Sequence, residues 1–411
     1  MRRIWPLTAR GTGALALAFV CFAVANQFGL VELVWFGVLL LALVGASLIA
    51  VVVGRGRADV TRVVTPVVPM AGTDVGVEAH VALRSTLPAT GGRWRDDLPD
   101  GLRGAATGVF PAVASGFSRG DRTAELAYRA TVGRRGIHWL GPLRLTSTDP
   151  FGVARRSVSL GDLTRLVVTP ALVDLPKLPG MTGRSGGSIP SPANRLGQGA
   201  DDIVARPWAP GDSMRRIHWR ATAHRGELMV RQEEQETSPE ATIVLERGVA
   251  RWTPEAMERP GADAAFESAV SLCASVLRRL VQDGYAVELL DSDGAELCGR
   301  VEPADALALE NAMLALATIT ARAEDRLHAL VGVFAGVTTG PLVVVTGRFD
   351  AADAAALATV GHHSSFPVLV AAAPDADALT ATTGWAFAAL GDDPAEAWRA
   401  AGAGRSADGP V

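Results

Sequence analysis

"ADAAFESAVSLCASVLRRLVQDGYAVELLDSDG", Ala262–Gly294, changes its hydrophobic period halfway along. Up to Gln282 the apolar residues Phe266, Val270, Cys273, Leu277 and Leu280 return at the spacing of one helix face. Gly284 is the stop, because glycine takes the left-handed backbone that closes a helix without steric cost. "YAVELLD" then reads as a strand, and Asp291 and Asp293 in the following "DSDG" read as a turn. A helix feeding a strand in this way is half of a βαβ unit, so this stretch predicts an α/β fold.

The same alternation extends to both sides. "ATIVLERG" (Ala241–Gly248) is a buried-strand run, and "PADALALENAMLALATITARA" (Pro303–Ala323) is a helix. "PLVVVTG" and "FPVLVAAAP" follow as strands around the short helix "DAADAAALATV". Residues 241–400 are therefore expected to form an α/β domain with a largely parallel sheet, and 401–411, "AGAGRSADGPV", a disordered tail.

Upstream the period falls to two. "DVTRVVTPVV", "DVGVEAHVAL", "RTAELAYRATV", "GPLRLTSTD" and "DLTRLVVTP" alternate apolar and polar residues and are separated by Pro and Gly. They predict a β-sandwich of immunoglobulin-like type over 58–170, with a long hairpin or loop between Leu87 and Gly120. Residues 171–205, rich in Gly, Ser and Pro, read as a linker. The linker lacks the GxxxxGK[ST] spacing that cradles a phosphate.

The first 57 residues are of another kind. Two apolar runs, about 11–31 and 33–53, each approach the roughly 20 residues a helix needs to cross a bilayer. Arg2, Arg3 and Arg10 precede the pair, Arg55, Arg57 and Arg62 follow it, and no Lys or Arg lies between. Cations stay on the cytoplasmic side, so a transmembrane helical hairpin is expected in the plasma membrane with both termini and the folded domains cytoplasmic. The chain is thus read as a multidomain membrane protein. The formal net charge of −4 offers no global field for a polyanion. Three cysteines without a CxxC exclude a disulfide scaffold and a zinc site, and they agree with a reducing compartment.

The densest polar stretch is "RPWAPGDSMRRIHWRATAHRGELMVRQEEQE", Arg206–Glu236. Asp212 or Ser213 is placed to cap a helix from about Met214, ending at Gly226, with "ELMVRQ" running on as a strand. As an enzyme site, His218 or His224 needs a nucleophile, an orienting carboxylate or a metal partner, and neither HExxH nor GxSxG is present. As a nucleic-acid grip, its arginines are countered by Glu233, Glu234 and Glu236. The favoured reading is an interdomain brace or partner-binding surface. It draws on Arg206, Trp208, Gly211, Asp212, Arg215, His218, Trp219, Arg220, Arg225 and Glu227, with Trp208 and Trp219 packed beneath arginine–carboxylate pairs.

This stretch, 206–240, together with "RRGIHWLGPLRLTSTDPFGVARR" (Arg134–Arg156), resembles the signature segments of the bacterial family called domain of unknown function 58. The resemblance implies a membrane anchor, a β-rich region and a von Willebrand factor A-like α/β domain. It also implies partners: a MoxR-type AAA+ ATPase and a transglutaminase-like membrane protein. Such an α/β domain usually holds a divalent cation through a DxSxS loop. Here "IVLERGVA" puts Glu246 at the Asp position and Gly248 and Ala250 at the Ser positions, so both hydroxyl ligands are missing and no cofactor is expected. The resulting expectation is a non-enzymatic, membrane-anchored adaptor or scaffold. The alternative is a membrane-tethered hydrolase or cation-dependent binding enzyme that uses the signature segment.

Overall fold

Two apolar helices open the computed structural model, which describes residues 6–53, 57–84, 91–111, 122–178, 181, 203–208, 214, 217–233 and 238–407. Helix α1 (Ala9–Phe28) starts on the side-chain cap of Thr8 and stops at Gly29, whose φ of 69° ends the turn. Helix α2 (Val31–Val53) follows at once. Both are long and apolar enough to cross a membrane, as the two runs predicted.

Ten strands follow: β1 (Arg57–Thr65), β2 (Asp74–Arg84), β3 (Gly92–Asp96), β4 (Leu102–Gly104), β5 (Thr107–Phe110), β6 (Arg122–Val132), β7 (Gly136–Leu140), β8 (Leu143–Thr148), β9 (Arg155–Leu160) and β10 (Thr164–Val168). They form antiparallel sheets in the orders β1-β2-β6-β4 and β5-β3-β8-β9, with β10 paired to β7. Val77, Val81, Trp94, Phe110, Leu126, Leu143 and Val168 meet in one core, so all three sheets are closed on the same apolar interior.

The stretch read as a long hairpin or loop between Leu87 and Gly120 contains three strands, β3, β4 and β5, among its described residues, with β3 and β5 paired antiparallel. Alternation in "GRWRD" is hidden because its inward positions are Trp94 and a carboxylate, Asp96, while Arg93 points out. Asp96 is buried by design of the sequence around it. Arg62 clamps it through Nε and Nη2 at 2.9 and 2.8 Å, and Tyr128 donates its hydroxyl at 2.8 Å. Arg62 Nη1 donates to the Asp162 carbonyl and to Thr164 Oγ1. Gly141, at φ 98°, passes so close that a Cβ there would lie 2.6 Å from Arg62 Nη2.

The remaining elements are β11 (Ile203–Pro207), α3 (Trp219–Arg225), β12 (Met229–Glu233), β13 (Glu240–Leu245), α4 (Glu255–Glu258), α5 (Ala264–Gln282), β14 (Ala286–Asp291), α6 (Ala306–Thr318), α7 (Leu330–Val333), β15 (Thr339–Phe349), α8 (Ala351–Gly361), β16 (Ser364–Pro374), α9 (Ala376–Ala381), β17 (Ala386–Ala389) and α10 (Pro394–Ala407). Five strands form a wholly parallel sheet in the order β14-β13-β15-β16-β17, as the alternating periods predicted. Its strands are continuous apolar runs because both faces are covered. Val244, Leu342, Val344 and Leu369 meet Leu330, Leu357 and Val360 on one face.

The chain divides into two compact units. One comprises Met1–Val173, Arg247–Ser275 and Glu310–Asp325; the other comprises Asp174–Glu246, Val276–Leu309 and Arg326–Val411. The start of the expected linker is not free. Ala171 accepts from Ser271 Oγ in the first unit, while in the second Tyr285 donates to the Met181 carbonyl and Trp398 Nε1 to Pro176 at 2.9 Å. Leu175, Leu178 and Met181 are buried, which is why these residues lie down. Residues 182–202 are outside the described set. The expected tail is also partly ordered: α10 continues to Ala407 with Ala401 fully buried, since Ala-rich sequence is the best helix former.

Loop 149–156 meets the N-terminal helices inside the first unit. Asp149 accepts from the N–H groups of Phe151, Val153 and Ala154 at 3.0, 2.7 and 2.5 Å, and it lies beside the Ser47 hydroxyl of α2. Burial pushes its carboxyl up, but these donors outweigh burial and hold it below the ordinary 3.8. A depressed carboxyl stabilises the fold above its unfolded value and loses that contribution as pH falls through the lowered one. Asp149→Asn should therefore melt below the parent at neutral pH, and the gap should narrow as pH drops from 3.8 downward. A gap independent of pH would show that the charge is irrelevant.

Candidate functional site

The signature segment folds as a small helix–strand unit. β11 and β12 pair antiparallel with Arg206 opposite Val230 and Pro207 opposite Met229, and Trp208 N–H extends the ladder to the Leu228 carbonyl at 2.8 Å. Ile217 makes a bridge to Val230, and His218 N–H donates to the Met229 carbonyl at 2.7 Å. Helix α3 then leaves from His218, whose Nδ1 accepts from Ala221 N–H at 3.1 Å. That bond leaves the Nε2 side of the neutral ring as the protonated one. Gly226, at φ 76°, turns the chain back, and Thr222 Oγ1 accepts from Met229 N–H at 3.0 Å.

Ile217, Met229 and Val230 are buried beneath this unit, whereas no residue of α3 is. Trp219 is 68% exposed and Met214 is 66% exposed. The expectation that Trp219 packs under the arginines is therefore corrected. Helix α3 starts at Trp219, so Ile217 enters the ladder and Trp219, Arg220, Ala223, His224 and Arg225 are left exposed. An open cavity of 510 Å³ is lined by His218, Arg220, Ala221, Ala223 and His224. Arg220, Arg225 and Glu227 are all exposed, and among the described residues no ion pair joins them. Arg206 is described through its backbone alone. Gly211, Asp212 and Arg215 lie outside the described residues, as does the Asp212 or Ser213 cap.

An arginine brace does exist in the first unit, on a residue not singled out from the sequence. Arg135, at 2% exposure, reaches Glu267 of α5 through Nε and Nη2, both at 2.9 Å. Its Nη1 donates to the Leu316 carbonyl at 3.3 Å and its Nη2 to Ile319 at 2.6 Å. The Phe266 ring lies under the guanidinium, 5.7 Å away. Burial lowers the guanidinium's affinity for its proton and Glu267 restores part of it. Arg135 stood in the quoted "RRGIHW" segment, but arginine in sequence reads as surface.

A second polar group lies at the carboxyl ends of the parallel strands, where open α/β sheets generally place ligands. Leu245 is in register with Asp291 and with Val345, so Glu246, Ser292 and Thr346 form the next row. All three are fully buried. Asp291 and Gly294 close the turn read from "DSDG". Nearby in sequence, His328 Nε2 sits 2.7 Å from Asp353 Oδ1, and Asp350 and Asp353 form a reciprocal cap on α8.

Residues 204–297 match the family described as Protein of unknown function DUF58, which bears out the resemblance drawn from the signature segment. No curated protein matches the chain.

Proposed function

From a chain that is DUF58 sequence over residues 204–297 and carries two apolar helices at its N-terminus, we propose a membrane-anchored, non-enzymatic adaptor whose docking surface is the outward face of α3. The observation that carries this reading is Trp219. A tryptophan 68% exposed, with Met214 also exposed beside it in the segment, stands on a unit whose own ladder and caps are complete. Aromatic side chains left in water on a fixed frame are the commonest anchors of protein interfaces. Family resemblance supplies the partner, a MoxR-type AAA+ ATPase, with a transglutaminase-like membrane protein as a further member of the assembly. On this reading the two spans are plasma-membrane helices with both ends in the cytoplasm, the β region is an immunoglobulin-like sandwich, and the parallel sheet is a von Willebrand factor A-like domain without its usual cation.

Trp219→Ala tests it. An exposed side chain contributes little to the fold, so the unfolding free energy should stay within about 0.5 kcal/mol of the parent. Capture of the ATPase by full-length protein in mild detergent should fall by about 2 kcal/mol, roughly thirty-fold, if Trp219 is an interface anchor. Unchanged capture sinks the adaptor reading at this surface. The cavity beside α3 is the observation on the side of hydrolysis; a His218→Ala loss of turnover with retained capture would favour it.

A further inference from the structure

The loop Asp149–Arg156 takes part in neither the Arg135 brace nor the docking surface, and it is tied to both N-terminal helices. Thr8, the cap of α1, donates its hydroxyl to the Gly152 carbonyl at 2.6 Å and its N–H to Val153 at 2.9 Å. Arg155 N–H returns to the Pro6 carbonyl at 2.7 Å, and Leu7 bridges to Ala154. A Cβ at Gly11 would collide with the Val153 carbonyl, so the close approach of the loop to α1 requires glycine there. On the other helix, Arg156 Nη1 donates to the Val51 carbonyl at 3.2 Å, close to the end of α2. Val153 and Ala154 are buried with Leu7 and Val44, and Leu15, Leu43 and Leu48 pack against them.

The loop therefore sits where α1 begins and α2 ends. Its turn is fixed by Asp149 and by Gly152 at φ 72°, and it buries Val153 while leaving Phe151 60% exposed. Arg10 lies over the turn, its Nη1 3.5 Å from the place a Gly152 Cβ would occupy, and Arg155 is exposed beside it. An aromatic ring and two arginines at the ends of two apolar helices match the layered chemistry of a bilayer interface. Rings settle at headgroup level and cations at phosphates.

We propose that loop 149–156 is a lipid-contacting surface, with Phe151 seated in the interfacial layer and Arg10 and Arg155 binding the phosphates of anionic headgroups. It rests on the membrane reading above. The bilayer is the occupant because α1 and α2, each long and apolar enough to cross it and with Leu17, Phe19, Leu39 and Ile49 exposed, are packed directly onto the loop through the buried contacts of Leu7, Val44 and Val153. The loop then sets the β region at a fixed height against the membrane.

The test replaces Phe151 by the photo-crosslinker p-benzoylphenylalanine in the full-length chain. Reconstitution uses vesicles of phosphatidylcholine alone or of equal parts phosphatidylcholine and phosphatidylglycerol. Irradiation should yield phospholipid adducts at position 151 in both, with phosphatidylglycerol above its share in the mixture. Arg10→Gln with Arg155→Gln should return it to its share, each arginine being worth about five-fold against an anionic surface. A chain released from vesicles by alkaline carbonate overturns the membrane reading and this inference with it. A chain retained by the vesicles that gives no lipid adducts, or protein adducts only, overturns this inference alone. An enrichment that survives both arginine changes overturns the headgroup assignment.

Discussion

Arg135→Ala is expected to destabilise the first unit by about 3–5 kcal/mol, the cost of breaking a buried ion pair by removing one partner. Its guanidinium satisfies three acceptors at once: the Glu267 carboxylate and the carbonyls of Leu316 and Ile319. Alanine leaves all three without that donor in a largely buried site, and it strips the Phe266 ring of its cation. At about 2–4 °C per kcal/mol, the melting temperature should drop by about 6–20 °C. Arg135→Lys is the informative companion. It keeps the charge but cannot fork to a carboxylate and two carbonyls together, so it should fall between parent and Ala. An Ala variant less stable than the parent by no more than about 1 kcal/mol would show that water or another donor replaces the guanidinium.

Asp96→Ala should cost a similar amount, about 3–5 kcal/mol, for the opposite charge. Arg62 and Asp96 have no side-chain exposure at all. Removing the carboxylate strands a guanidinium inside the β core and leaves the Tyr128 hydroxyl without its acceptor. Burial, and then the neighbouring Asp96 charge, already hold the Tyr128 phenol far above its ordinary value, so it stays protonated and a donor. The double change Arg62→Met with Asp96→Leu distinguishes specificity from stability. Buried pairs are often replaced by apolar residues at little cost, so the double variant should be more stable than Asp96→Ala. Urea unfolding of the three proteins side by side decides the matter. A double variant as weak as the single one would mean that the pair itself, not the stranded charge, holds the sheets.

Those two arginines also mark the limit of what the sequence disclosed. Helix α5 and strand β14 were legible because their apolar residues keep one period and Gly284 ends the helix at φ 89°. The parallel sheet followed from continuous Val-rich runs, and the N-terminal helices from length and composition. Strand β3 was not legible, because an inward Asp96 breaks the apolar alternation that identifies a strand. Helix α3 was found but phased wrongly. Ile217 falls inside the helix expected from Met214, yet its bridge to Val230 delays α3 to Trp219 and leaves that ring exposed. Arg135 was invisible for a general reason: burial of a charge depends on acceptors supplied from 132 to 184 residues away.

That separation has a consequence for the order in which the molecule can be made. The first unit is assembled from three stretches of chain, and the acceptors of Arg135 come from the second and third. At about 5–20 residues per second, the ribosome needs roughly 10–40 s to travel from Arg135 to Ile319. By the end of that interval the apolar helices and strands β1–β10 have long been made, before the guanidinium has all of its acceptors. Completion of the first unit is thus the last event of its synthesis rather than the first, and a nascent chain stalled before Leu316 carries a β region whose closing arginine has Glu267 but not yet the Leu316 and Ile319 carbonyls.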